Sequence, residues 1–578
     1  MWKKGTLYLV LKRECSVPAL VADCSLVFFH TKRMRAFLWI LVCCFLTTLA
    51  KTVKVTRPTQ LIELFNKGSN GYIDVNIDLD NDIDFSLVQL KIPLGVQQET
   101  FQCLPYTGIF NGNGHSIKNL NIELTQNGVG LFCRLERATI KNLVIEDSCS
   151  FTGGIAGALT PYVLESGDVT FSNVKNQADV KGGQFAGGYV GVFLEGQSSN
   201  IQFQNCDNSG SIDGTSNGGF IGLIGGAKNM KVEFIECHNH GLITGSYGTG
   251  GFIGNVSSTE VITVIIKSST NSGKVNGSDA GGGIIGVIQK CSGVTLDIRD
   301  TFVENSVNGS DNVGGLIGIV TESYAITLDI HNSDVTVSTS GHNSVGGFVG
   351  NFSKNVQVEI NVNMSNSTGV VKGEQYVGGL FGVIQSSSPS KQAKVTITNT
   401  IRKNTLIGTT LASCGFVCVD EDSTYAVKVI VFNSISHGSV QGEKAYGIAN
   451  YVTEIMNVVN TGSVSGTSKS YSLWKSPTAN QHAYAYGSSC KTCGTATQII
   501  KSNQDGQYYV VGTKMKIVDM LNFVVNQDHH WKTLSFWTKD LEFEVKKEGQ
   551  LSLASFFSLS FTALFFTLFL MLQGFFIQ

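Results

Sequence analysis

Five residues recur along this chain at a nearly fixed interval: "GGYVG" at 187–191, "GGFIG" at 218–222 and 250–254, "GGLIG" at 314–318 and "GGFVG" at 346–350. The first residue of each element falls at Gly153, Gly187, Gly218, Gly250, Gly282, Gly314, Gly346 and Gly378, and the last five steps are 32 residues each. Degenerate copies extend the series at "VGLFC" (129–133), "CGFVC" (414–418) and "YGIAN" (446–450). Self-similarity at such a period means a solenoid or an array, in which each copy is one supersecondary unit stacked on the next.

A second signature, G-x-[VI]-x-G, recurs as "GSIDG" (210–214), "GLITG" (241–245), "GKVNG" (273–277), "GVVKG" (369–373), "GSVQG" (438–442) and "GSVSG" (462–466). Between the two signatures run alternating segments such as "VITVIIKSS" (261–269), "VTLDIRD" (294–300) and "ITLDIHN" (326–332). Apolar residues at every second place are the period of a half-buried strand. Each unit therefore reads as about three short strands with Gly/Ser/Asn/Asp corners, and nothing in it has helical periodicity. Three strands per unit, stacked ~4.8 Å apart, make a parallel β-helix of ~32-residue coils and about 11 repeats. The repeat glycines are expected to serve corners at φ > 0 and close approach of coils. Asn208, Asn239, Asn271 and Asn460, at one repeat position, are expected to ladder through their amides.

Both solenoid ends need covering, since open edges aggregate. "PTQLIELFNK" (58–67) puts Leu61, Ile62 and Phe65 on one helical face after Pro58 and Thr59, a short N-terminal capping helix. "GYIDVNIDLDNDIDF" (71–85) reads as the first strand, its five aspartates facing outward rather than holding calcium. The aromatic-rich stretch 516–545 is expected to close the far end as an irregular cap.

At 108–124 the chain reads "GIFNGNGHSIKNLNIEL", followed by "GVGLFCRLERATIKNLVIED" (128–147). This resembles the GLUG-motif repeat family, whose pattern runs F-x-G-N-G-H-x-I-x-N-L-x-I, then G-L-F-G and a second I-K-N-L. The resemblance covers roughly residues 58–545, with Cys133 standing where the family usually has Gly. It implies a right-handed parallel β-helix displayed on a surface, adhesin-like, with no catalytic residues of its own.

The chain ends differ from the middle. "MRAFLWILVCCFLTTLA" (34–50) has the layout of a signal peptide, with Thr48 and Ala50 at the cleavage-reading positions. Translation is expected to start at Met34, with 1–33 a gene-model extension; the alternative is a long n-region. The last 28 residues, 551–578, carry no charge and read as a GPI signal or a single transmembrane helix. The organisation is then 51–107 cap and first coils, 108–466 repeats, 467–550 C-terminal cap, and the anchor. The repeats would lie outside the cell, reached through the secretory pathway.

Ten of the fourteen cysteines lie between the apolar ends, where disulfides persist. Cys490 and Cys493 of "CKTC" are candidates for a structural disulfide, since no second ligand pair at zinc-finger spacing accompanies them. Cys414 and Cys418 would stand about 13 Å apart if fully extended. They bridge each other only if the segment bends. Sequons at Asn255, Asn276, Asn308, Asn351, Asn363 and Asn366 are glycosylation candidates.

Charged content of 15% and a net charge of -2 argue against nucleic acid. "GTGGFIG" (248–254) mimics a nucleotide loop but belongs to the repeat. No H-E-x-x-H occurs, and His529-His530 reads as surface or cap. A carbohydrate-active enzyme on this fold would need acids and bases clustered on adjacent coils. Asp213, Lys274, Asp311 and Lys372 fall at different repeat positions. The expectation is therefore a non-enzymatic binder of glycans or partner proteins, without cofactor, metal or nucleotide. A lyase or hydrolase, and a purely structural coat, are the alternatives.

Overall fold

In a computed structural model, residues 52–473 are described apart from short breaks at 68–71, 98–99, 101, 165–166, 387–392, 424–426 and 472. Beyond them only separate strands between 480 and 545 are described. The signal, anchor, Cys490, Cys493, His529 and His530 lie outside the described residues, as does most of 467–550. Among the described residues no helix is long and apolar enough to cross a membrane.

The strands join into one continuous all-β solenoid of about 11 coils. Every coil hydrogen-bonds to the next in parallel register: Ile221 opposes Ile253, which opposes Ile285, which opposes Ile317. A coil resolves into more pieces than the three strands expected. The coil from 228 has a long strand Lys228–Ile235, short ones at His238–Asn239, Ile243–Gly245 and Thr249–Gly250, and a fifth at Ile253–Ser257. Corners interrupt what the alternation alone reads as continuous.

The alternating residues turn inward as their period demands. Phe171, Phe203 and Phe234 stack with ring centroids 4.9 and 4.8 Å apart, one per coil. A second column, Tyr189, Phe220 and Phe252, stacks at 5.0 and 4.9 Å and meets the first edge-on. Offset stacks and edge contacts are the favourable aromatic geometries. The buried Tyr189 hydroxyl donates to the carbonyls of Val174 and Asp207, so its burial leaves no donor unpaired.

The repeat glycines work by close approach alone. None of Gly187, Gly218, Gly250, Gly282, Gly314, Gly346 and Gly378 has positive φ. A Cβ on each would strike the carbonyl oxygen three residues on, within its own corner. On the second glycine of each pair it would strike the matching glycine carbonyl of the next coil, Gly283 on Gly315 and Gly315 on Gly347. Left-handed corners lie in other columns, and in one of them Asn142, Asn173, Asn205, Glu236, Ser268, Asp300 and Asn332 have φ of 47° to 55°. Asn tolerates that region because its amide bonds locally. Here Asn173 Nδ2 donates to Asn142 Oδ1 at 3.0 Å and Asn205 Nδ2 to Asn173 Oδ1 at 2.7 Å.

Register corrects one repeat. Gly187 pairs with Gly157 and Gly153 with Gly182, so the corner of that coil is "GALTP" (157–161) and "GGIAG" at 153 lies one strand early. The buried amide ladder runs Asn176, Asn208, Asn239, Asn271 with links of 2.8, 2.8 and 2.7 Å. It stops where Val303 follows, and Asn460 instead bonds its own Gly462.

The helix Pro58–Asn66 buries Leu61 and Phe65, and Phe65 meets Tyr106 and Phe132 at 5.3 and 5.6 Å. It is the expected cap. The first strand is Thr52–Val55, ahead of it in the chain and paired with Asn76–Leu79. Segment 71–85 is two strands, Asn76–Leu79 and Ile83–Asp84, because the coil turns between them. Its aspartates point outward into partners: Asp80 to Lys54 at 3.0 Å and Asp82 to Lys118 at 2.8 Å.

Cys414 and Cys418 are bonded to each other, with Cα atoms 5.3 Å apart. The extended-chain distance fails because they flank a corner. They occupy the positions of the first and third glycines, Gly378 and Gly382, which face each other there. Cys103–Cys133 joins the loop 86–105 to the coil at a sequence separation of 30. By loop entropy that closure is worth about 3–4 kcal/mol. Replacing both cysteines by serine should lower the denaturation midpoint accordingly, whereas the short Cys414–Cys418 loop should contribute about 2 kcal/mol. Urea titrations of the two double variants would show the order.

Candidate binding face of the solenoid

The long strands present their outward residues as rows across coils. Asp297 opposes Asp329, Asp329 opposes Asn361, and Asn361 opposes Thr396. One row over, Thr295, Thr327, Glu359 and Lys394 align; on the other side stand Arg299, His331, Asn363 and Thr398. Alternation forces this arrangement, since Leu296, Ile298, Leu328 and Ile330 fill the core from the same strands.

Side chains in the rows are fixed by one another. Arg299 Nε donates to Asp297 Oδ1 at 2.5 Å, and Asn361 Nδ2 to Asp329 Oδ1 at 2.9 Å. Lys394 Nζ lies 3.2 Å from Glu359 Oε1, and Asn332 Nδ2 is 2.6 Å from Asp300 Oδ1. The hydrogen bond to Asp297, with Asp329 and Asp300 nearby, pushes the Arg299 guanidinium further toward its charged form. Arg299 stands among three carboxylates, with Lys267 opposite it in the preceding coil. A shallow depression of about 360 Å³ adjoins it, lined by Thr327, Gln357, Glu359 and Lys394. Phe302, which opens the next strand past the Asp300 corner, is 47% exposed. It neighbours Asp334, whose carboxyl is raised by burial although Asn366 Nδ2 donates to it at 2.8 Å.

Chemically this is a rigid field of hydroxyl, amide and carboxylate groups at coil spacing, with an aromatic ring at its margin. Each carboxylate of the Asp297–Asp329 pair already accepts from a fixed donor. That suits gripping a ligand's hydroxyls better than handing it a proton.

The residues singled out by sequence are distributed differently. Asp213 and Lys372 share a register column but stand five coils apart. Lys274 and Asp311 sit elsewhere, so the four form no cluster. "GTGGFIG" is a corner followed by the strand Ile253–Ser257. The Asp297–Asp329 row, with Arg299 beside it, was missed. Its signal was present in "TLDIR" and "TLDIH", which place Asp at the same repeat position 32 residues apart.

The sequons separate by environment. Asn255 is 5% exposed within a strand, and a glycan there is incompatible with the packing, which removes it from the candidates. Asn351 Nδ2 donates to Asn312 Oδ1 at 2.8 Å beneath a corner. Asn276, Asn308, Asn363 and Asn366 are partly exposed. Asn276 and Asn308 oppose each other, with Asn308 Nδ2 3.1 Å from Asn276 Oδ1. Two glycans have no room at one coil spacing. Secretory expression followed by glycopeptide mass spectrometry is expected to find Asn255 bare, and never both Asn276 and Asn308 occupied on one molecule.

No family model matches the chain, and no curated protein matches it. Among solved structures, a "putative immunoglobulin A1 protease from Bacteroides ovatus" aligns at 16% identity over 53% of this chain and 84% of that one. Its TM-score is 0.31, and a likeness that loose carries no inference about this protein.

Proposed function

We propose that this protein is a non-catalytic, surface-displayed β-solenoid that binds glycans or partner proteins through the outward face of its long strands. The observation that carries the reading is the fixed polar row Asp297–Asp329–Asn361 with Arg299 beside it and Phe302 at its edge. Coils locked by their glycine columns hold such a row without reorganisation, which lowers the entropy cost of binding. The GLUG-like residues at 108–147, the signal-like segment 34–50 and the apolar tail 551–578 support display outside the cell, tethered at the C-terminus.

A carbohydrate-active enzyme is the second reading, favoured by two carboxylates opposed on adjacent coils beside an arginine. One experiment separates the two. The chain, made in a secretory host, is incubated with an array of glycans and matrix proteins, and both retained protein and released sugar are scored. Saturable retention without release, lost in R299A/D329N, is the expected result. Released oligosaccharide would establish the enzyme instead. Silence on both counts leaves a structural coat.

A further inference from the structure

We propose a second ligand site at the N-terminal end of the solenoid, which takes an acidic sugar residue. A cavity of about 340 Å³ lies between the loop 85–91 and the turn at Asn119–Asn121. That is the small end of the range for ligand pockets, room for one or two sugar rings. It shares no residue with the long-strand face, so it stands or falls separately from the reading above.

The cavity is built in advance. Asp84 anchors both walls: its Oδ1 accepts the Ser86 backbone N–H and the Asn119 Nδ2, each at 2.8 Å. Asn119 is held left-handed at φ 56°, and its backbone N–H donates to Ser148 Oγ at 3.0 Å. Phe85 and Leu120, 3% and 1% exposed, form the packed base, and the half-buried Val88 and Leu90 supply the apolar wall for the face of a sugar ring.

The polar groups are committed on one side only. Asn119 gives one amide N–H to Asp84, and its Oδ1 accepts from no side chain or backbone group among the described residues, so it offers that oxygen. Asn121 has accepted Ser150 Oγ at 2.7 Å on its Oδ1, so it offers its NH₂. Gln89 supplies both kinds. Adjacent hydroxyls of a sugar each donate and accept, and a fixed acceptor beside a fixed donor matches them. Lys91, exposed on the same rim, makes no ion pair among the described residues. The Asp84 carboxylate behind the walls is already engaged by Ser86 and Asn119, so the exposed Lys91 ammonium is the charge free to meet a ligand that carries a carboxylate along with its hydroxyls.

The test is calorimetric or saturation-transfer titration of the whole chain with sodium glucuronate, glucose and sodium acetate. Glucuronate should bind about three- to fivefold tighter than glucose, the range an exposed charge pair supplies. Acetate, which lacks the hydroxyls, should not bind measurably. K91E should bring glucuronate down to the level of glucose and leave glucose unchanged, whereas Q89A should weaken both sugars. R299A/D329N should change nothing here. Equal affinity for glucose and glucuronate, indifference to K91E in a variant with wild-type circular dichroism, or no saturable glucuronate binding would each overturn the site.

Discussion

Replacing Gly315 by alanine is expected to destabilise the solenoid by about 3 kcal/mol or more, the cost of forcing backbone apart in a packed interior. The new Cβ would fall on the carbonyl oxygen of Gly347 in the next coil and 2.5 Å from Val335 Cγ1. The oxygen cannot swing away, because it belongs to a backbone that a further coil holds in register. Relief requires widening a spacing that every neighbouring strand pair shares. Gly183→Ala is the control. Its nearest heavy atom would be 3.7 Å away, and its φ is not left-handed. Removing chain entropy from the unfolded state should leave that variant neutral or up to about 1 kcal/mol more stable. Urea unfolding read by circular dichroism compares the two. Because stacked repeats can unfold in segments, hydrogen exchange around 314–350 should show the loss concentrated there. Equal stability of G315A and G183A would remove the close-approach explanation of the glycine column.

Arg402 gives the second large effect, of opposite sign. Its side chain is completely buried in the column that holds Asn208 and Asn239 in earlier coils. Among the described residues no carboxylate meets it. Nε and Nη2 donate to Ser436 Oγ at 3.1 and 2.8 Å, Nη1 to the Asn404 carbonyl at 2.9 Å, and Nη2 also to the Gly438 carbonyl. Burial lowers the guanidinium from its ordinary strongly basic range to about 9. At pH 7 the group is charged both folded and unfolded, so the native state bears the desolvation in full. Above pH 9 the unfolded chain holds a proton that the native state releases, and stability rises with pH.

Arg402→Met should therefore raise stability at pH 7 by about 1 kcal/mol, what remains after two carbonyls lose their donors. That advantage should shrink above pH 9. Ser436→Ala keeps the charge and removes its main acceptor, so it should cost about 2–3 kcal/mol. Urea midpoints of both variants at pH 7 and pH 10 decide the matter. If R402M is the more damaging of the two, the guanidinium is a net stabiliser and the burial cost has been overestimated.

Much of the architecture was legible in particular residues. The 32-residue step of the glycine pairs determined coil length, and alternation in "VITVIIKSS" and "ITLDIHN" determined which side chains face the core. Pro58, Leu61 and Phe65 located the capping helix. Legibility failed where a corner intervened. "GGIAG" at 153 has the right letters one strand early, because the one-dimensional pattern carries no register. Cys414 and Cys418 were too far apart for an extended strand and are bonded across a bend. The repeat glycine pairs do not take the left-handed corners; in one column Asn142, Asn173 and Asn205 do, each an amide that can bond its neighbour in the adjacent coil.

What the sequence determined by itself is the coil: its length, its inward and outward faces, and the positions where no side chain fits. These follow from periods of 2 and 32, and a period is a property of the chain alone. What only the tertiary structure decided is company. Asp297 meets Asp329, Asn119 meets Asp84 and Arg402 meets Ser436 across separations of 32, 35 and 34 residues. Those meetings depend on the angle of every corner between them, and each corner is settled by steric contact with the coils above and below. Residues that build the coil repeat, and so announce themselves. Residues of the outward polar rows occur once or twice, and only stacking places them side by side.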